Sequence, residues 1–266
     1  MKKMLTLCIT TAVILTTNAL AFDFGKTPDK ISAHYVTPAQ SVNDVKSKLT
    51  KNGFKILATT TPIAGHKILS ITNDELKATN TYMAVINVNV GAKEVRVQNP
   101  SYLGAAYLGD KYKYGQFKAT VNALEKALGS LKGSNQKTDF SDLAEYHFMF
   151  GMPKLADTIT VKEGKGLAKK VTAKNKYVAY TLTLPNGLIL VGHNLKGETN
   201  KFLKTLNQER NAQLLPYQSM VYGNAVQMLD PKYYLALSLP LLSMGEFMKI
   251  ASVPDQIEKD IKRAYK

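Results

Sequence analysis

"EVRVQNPSYLGAAYL", residues 94–108, reads as a strand, a sharp Asx-Pro turn and an apolar run. The same layout returns at residues 225–239 as "AVQMLDPKYYLALSL". Proline offers no N–H to a sheet ladder, and Asn or Asp hydrogen-bonds the backbone that follows. Each strand is therefore expected to end at its Asx-Pro step, with the tyrosine two residues on packing back over the sheet end. Aligning Asn99-Pro100 with Asp230-Pro231, an offset of 131 (231 − 100), sets Tyr102 on Tyr233, Ala105 on Ala236 and Leu108 on Leu239. Upstream, "NGFKIL" (52–57) stands opposite "NKYVAY" (175–180), and "HKILSITN" (66–73) opposite "LILVGHNL" (188–195). Downstream, "GQFK" (115–118) meets "GEFM" (245–248). Matches that keep their order along the chain are the mark of an internal repeat, here two diverged copies at about 36–131 and 159–266.

Each copy carries the same plan. In the first, "HYVT" (34–37) is a strand, and "SVNDVKSKLTKNG" is a helix with Val42, Val45 and Leu49 on one face, Ser41 as N-cap and Gly53 as stop. "FKILATTTPI" and "HKILSIT" form a hairpin, "NDELKAT" a short helical turn, and "YMAVINVNV" with "EVRVQ" a second hairpin. A closing helix presents Phe117, Val121, Leu124 and Leu128. In the second copy, "YVAYTLTLPNGLILVGH" is a hairpin, "ETNKFLKTL" a helix and "YQSMVYGNAVQML" a hairpin. "LALSLPLLSMGEFMKI" (235–250) reads either as a buried strand running into a helix or as an exposed apolar groove. A last helix starts afresh from Ser252 around Pro254 with Ile257, Ile261 and Ala264 on one face. The fold class is thus α+β, two copies of a β-α-β-β-(α)-β-β-α unit with mostly antiparallel sheets covered on one face by helices.

The ends and the middle lie outside the repeats. Lys2 and Lys3, the apolar "MLTLCITTAVILTT" and Ala19-Leu20-Ala21 are the three parts of an export signal, residues 1–21, with cleavage expected before Phe22. This places the protein in the periplasm or outside the cell. The first copy then occupies 22–132, the polar stretch 133–158 connects, and the second copy fills 159–266. Cys8 is the only cysteine, so a mature chain has no disulfide, thiolate metal site or cysteine nucleophile. The formal charge is +15, and +13 without Lys2 and Lys3 (15 − 2). It is carried by lysine, the arginines being Arg96, Arg210 and Arg263. Lysine lacks the fork that reads bases and phosphates bidentately, so specific nucleic-acid binding is not expected; the charge reads either as a solvated lysine surface or as affinity for an anionic surface or polymer.

A strand followed by Asn-Pro and, four residues later, glycine, as in "VQNPSYLGAAYL" (97–108), resembles the domain-of-unknown-function family 302. "NGFKILATTTPIAG" (52–65) is similar to that family's opening. The likeness covers about 36–131; the second copy has Asp230 for Asn99 and no counterpart of Gly104. The resemblance implies a TATA-box-binding-protein-like α+β domain that pairs with a second copy, so this chain would be a covalent pseudo-dimer. It implies no reaction.

The chemistry-bearing residues are sparse. His34, His66, His147 and His193 fall in no zinc spacing, and His66 and His193 read as surface residues at strand ends. "EYHFMFGM" (145–152) sets His147 near Met149 and Met152, soft donors that suit Cu(I) or haem iron; the other reading makes it an apolar connector with methionines filling gaps. There is no GxSxG or SxxK serine motif, P-loop or dinucleotide fingerprint. His193 with Glu198 is the one acid–base pair a hydrolase reading has to offer. No catalytic constellation emerges and no cofactor is identified. The leading expectation is a non-catalytic protein that binds a small apolar or anionic ligand, or a partner, between its halves. Asn99, Tyr102, Asp230 and Tyr233 are the candidate contacts at a shared groove, and metal or haem handling at His147 is the alternative.

Overall fold

The structure is a computed structural model, and residues 24–266 are described. The export signal and its cleavage point lie outside them. The first half runs β1 (Lys30–Ser32), β2 (His34–Pro38), α1 (Val42–Lys51), β3 (Lys55–Ile63), β4 (His66–Thr72), α2 (Asp74–Lys77), β5 (Ile86–Gly91), β6 (Glu94–Gln98), α3 (Pro100–Leu108) and α4 (Lys118–Leu128). The connecting stretch contributes β7 (Lys132–Gly133) and β8 (Lys137–Asp139). The second half runs β9 (Thr158–Glu163), α5 (Leu167–Lys170), β10 (Val178–Thr183), β11 (Ile189–His193), α6 (Gly197–Asn200), α7 (Phe202–Thr205), β12 (Tyr217–Tyr222), β13 (Ala225–Leu229), α8 (Pro231–Ser238), α9 (Met244–Lys249) and α10 (Val253–Arg263).

The strand orders are β3-β4-β5-β6-β2-β7 and β10-β11-β12-β13-β9. Leaving β7 aside they agree strand for strand: β2 lies antiparallel beside β6, and β9 beside β13, outside two consecutive hairpins. The polar connector is not loose. β7 extends the first sheet at β2, and β8 pairs with β1.

The helices form where amphipathic spacing and caps coincide. Ser41 accepts from the Asp44 N–H at the start of α1, whose Val45 and Leu49 are fully buried. Gly53, at φ +87°, takes the left-handed conformation that ends it. Val121, Leu124 and Leu128 are the buried stripe of α4, and Ile257 and Ile261 that of α10, where Pro254 sits within the first turn.

The two Asx-Pro steps do more than end strands. Asn99 and Asp230 are N-caps, accepting from the Ser101 and Lys232 N–H groups, and Pro100 and Pro231 open α3 and α8. Eight of the nine residues of α3 are buried, so it shows no amphipathic period and sequence patterning passes over it. Gly104 is needed there: a Cβ would lie 2.5 Å from the Phe117 ring and 2.8 Å from that of Tyr112. Residues 235–238 finish α8 as helix rather than strand, and α9 begins at a capping box of Ser243 and Glu246. "ETNKFLKTL" is split between α6 and α7 and followed by a 3₁₀ stretch, Glu209–Leu214.

The halves meet through equivalent parts. The 3₁₀ turn Tyr82–Ala84, just before β5, lies against β12, and the Tyr82 hydroxyl donates to the Gln227 carbonyl at 3.2 Å. Glu209–Leu214, just before β12, lies against β5 in return. Along β5, Ile86, Val88 and Val90 share one face while Asn87 and Asn89 share the other. Both asparagines are buried, and both donate across to the other half, to the Gln213 carbonyl at 3.1 Å and the Arg210 carbonyl at 2.9 Å. Arg96 adds a bond to Asn211 at 3.1 Å. Polar groups at a buried seam need such partners, so the contact is specific as well as extensive.

Candidate functional site

A cavity of about 250 Å³ opens where β3 of the first half faces the segment after β11 of the second. Thr60, Thr61 and Pro62 form one wall; His193, Asn194, Leu195, Gly197 and Asn200 form the other, with Leu215 and Pro216 beside them. No charged side chain lines it among the described residues. The Asn200 amide donates to the Pro62 carbonyl at 3.2 Å and so ties α6 to β3 across the seam. Asp260 on α10 fixes the same wall from behind. Its buried carboxylate accepts from the Lys196 N–H at 2.9 Å and the Thr199 hydroxyl at 2.6 Å, and pairs with Arg263.

Two lining residues each bury a polar atom with no hydrogen-bond partner, Thr60 Oγ1 and Asn200 Oδ1; His193 Nδ1 has the Tyr177 carbonyl beside it. A buried unpaired polar atom costs about 1–3 kcal/mol, so two in one wall call for a partner molecule, water included. His193 is only 1% exposed, against the expectation of a strand-end surface residue; the Tyr265 ring packs 5.8 Å away on its flank. Burial pushes the imidazole down to about 3, with the Tyr177 carbonyl pulling the other way, so the ring is neutral. Its Nε2 lies 2.7 Å from the Ser219 hydroxyl, which lies 2.8 Å from the Tyr265 hydroxyl. If Tyr265 donates to Ser219 and Ser219 to Nε2, every hydroxyl hydrogen is used and the imidazole proton sits on Nδ1. The wall thus holds an unpaired amide oxygen at Asn200 and an unpaired hydroxyl at Thr60.

The Ser219–His193 contact has the spacing of a nucleophile and its base. Ser219, however, is fully buried and does not line the cavity, so the pair orients the imidazole and presents no nucleophile there. The Glu198 side chain lies outside the described residues, and with it the acid–base pairing with His193.

The other sequence candidates are distributed differently. Tyr102 and Tyr233 are buried, at 0% and 1% exposure, and line no described cavity; this corrects the expectation that they face a shared groove. The Tyr102 hydroxyl donates to the Leu237 carbonyl at 2.7 Å, joining α3 to α8, and Tyr233 packs edge-on to Tyr146. Asn99 and Asp230 are occupied as caps, Asn99 also donating to the Ser32 carbonyl at 2.8 Å. His147 is exposed, 3.0 Å from the Glu145 carbonyl, and shares a shallow depression with Met149; Met152 is half-buried against the core and outside that depression. Among the described residues no group of three His, Cys, Asp or Glu side chains is placed to hold a metal ion.

Thr60, Pro62 and Asn200 carry no signal in the sequence. Pro62 and Asn200 lie 138 residues apart, and a threonine run on an edge strand forms no motif. Comparison of the chain with protein families, with curated proteins and with solved structures finds no match.

Proposed function

We propose that the protein is a non-catalytic binding protein, exported from the cytoplasm, that holds one small uncharged polar molecule between two repeats arranged as a covalent pseudo-dimer. The shared strand order and the reciprocal contacts of the two 3₁₀ turns support the pseudo-dimer, because a two-fold pairing makes each contact twice. The observation that carries the ligand reading is a seam cavity whose wall holds two buried polar atoms without partners, Thr60 Oγ1 and Asn200 Oδ1. An apolar void of about 150 Å³ takes up benzene, so 250 Å³ admits a molecule the size of a small sugar, polyol or amide. The described lining residues carry no charge and the imidazole is neutral, which favours an uncharged ligand over an anionic one.

A thermal-shift panel of monosaccharides, polyols and small amides tests this. Ligand at a hundredfold excess over Kd adds about 2.7 kcal/mol, or roughly 5–10 °C for a chain of this size. The shift is expected in the wild type and absent in Thr60→Val. A flat panel at millimolar concentrations would remove the reading.

A further inference from the structure

Asn89 and Gly91 of β5 fall on the sheet face that meets the second half. The antiparallel register carries that face onto the neighbouring strands. His66 of β4 stands opposite Gly91, and Arg96 of β6 stands opposite Asn89, with Glu94 two residues before it. Gly91 brings no side chain to this row; a Cβ there would stand 3.4 Å from His66 Nδ1. The gap opens a cleft of about 480 Å³ that shares no lining residue with the seam cavity. Lys93, in the β5–β6 turn, lines it from the first half and Arg210 from the second. The Arg210 carbonyl accepts from the Asn89 amide at 2.9 Å, which ties the two sides together. That leaves Asn89 Oδ1 as the acceptor for His66 Nδ1 at 3.1 Å, so the imidazole is pinned in the wall.

The charges at this cleft do not cancel. Glu94 is the one acid that lines it, and it is already paired: Nε of the buried Arg96 lies 2.5 Å from Glu94 Oε1. Lys93 and Arg210 are exposed, and among the described residues neither head group makes a hydrogen bond or an ion pair. Glu209 adjoins Arg210 in the chain but does not line the cleft. We infer that this cleft is a second binding site, for a small molecule bearing a phosphate or carboxylate group, held between the Lys93 ammonium and the Arg210 guanidinium. The guanidinium fork takes two oxygens of one such group, and the ammonium adds a point charge beside it. The volume lies within the roughly 300–1,000 Å³ typical of small-molecule sites. The site stands apart from the uncharged ligand of the seam cavity, and neither reading depends on the other.

Side-chain NMR of the histidines in the full chain tests this, at fixed pH and with ionic strength held constant by chloride. Inorganic phosphate and succinate are titrated separately. The His66 resonance, identified by its loss in His66→Gln, is expected to move saturably at millimolar probe, while that of His147, in another depression, stays in place. Arg210→Gln and Lys93→Gln alter exposed side chains and keep the backbone bond to Asn89. Each is expected to weaken binding about ten- to a hundredfold, the worth of a hydrogen bond to a charged group. Lys169→Gln, at an exposed lysine that does not line the cleft, should leave binding unchanged. Saturation by phosphate, by succinate or by both supports the inference and names the group recognised. A His66 resonance that neither probe moves would overturn it. So would a response that weakens as much in Lys169→Gln as in Arg210→Gln, since the attraction would then belong to the lysine surface as a whole.

Discussion

Thr60→Val isolates one of the two unpaired atoms in the cavity wall. Valine has the shape of threonine and suits an edge strand at least as well, so the change removes a hydroxyl and little else. Thr60 Oγ1 is buried without a partner, and its desolvation opposes folding by about 1–3 kcal/mol. A cavity of 250 Å³ has room for water, which would return part of that cost, so the lower figure is the expected gain. The free protein should therefore become more stable by about 1 kcal/mol, read as a rise of roughly 2–4 °C in Tm. The same variant should lose the ligand-induced shift. Stability and binding then move in opposite directions, as they do when polar groups are held ready for a ligand. Denaturant and thermal unfolding of wild type and variant measure the first part. A loss of 1 kcal/mol or more would refute the reasoning, since it would mean that Oγ1 is bonded in the free protein.

Other perturbations probe the surrounding architecture. Burial holds both His34 and His193 near 3, the Arg96 charge adding to the effect at His34, so each is neutral in the fold while the unfolded chain takes up a proton below about 6.5. Their contribution is complete above 6.5 and is lost as pH falls toward 3, at about 2 kcal/mol apiece by pH 5; unfolding titrations should show this slope, and His34→Gln should halve it. Gly192→Ala would drive a Cβ into the Tyr180 ring and should destabilise by about 1–3 kcal/mol in urea unfolding. Asp260→Asn should weaken the hold on the Lys196 N–H and Thr199, lowering stability by about 1–3 kcal/mol and speeding amide exchange across 196–200.

Much of the fold is legible because local rules and burial agree. The β4–β5–β6 and β11–β12–β13 runs are rich in β-branched residues, with Gly or Asn in the turns, and α1, α4 and α10 keep an apolar stripe on one side. Where a helix is buried all round, as α3 is, periodicity vanishes and only its Asn99-Pro100 entrance remains visible. That entrance reads equally as a terminating turn, since proline stops a strand and starts a helix by the same missing N–H. The cavity is illegible for a different reason. Thr60, His193 and Asn200 acquire meaning only when β3 is laid against α6, and nothing short-range in the chain encodes that docking. His193 illustrates the limit: a histidine closing a strand looks exposed until Tyr265, at the far end of the chain, covers it.

The two halves differ at one corresponding position. Ile71, the residue aligned with His193, is a fully buried core side chain in the first half, whereas His193 brings an imidazole to the wall of the seam cavity in the second. A symmetric pair of such units would saturate with two molecules. This chain has broken that equivalence, and titration calorimetry should find a stoichiometry of one.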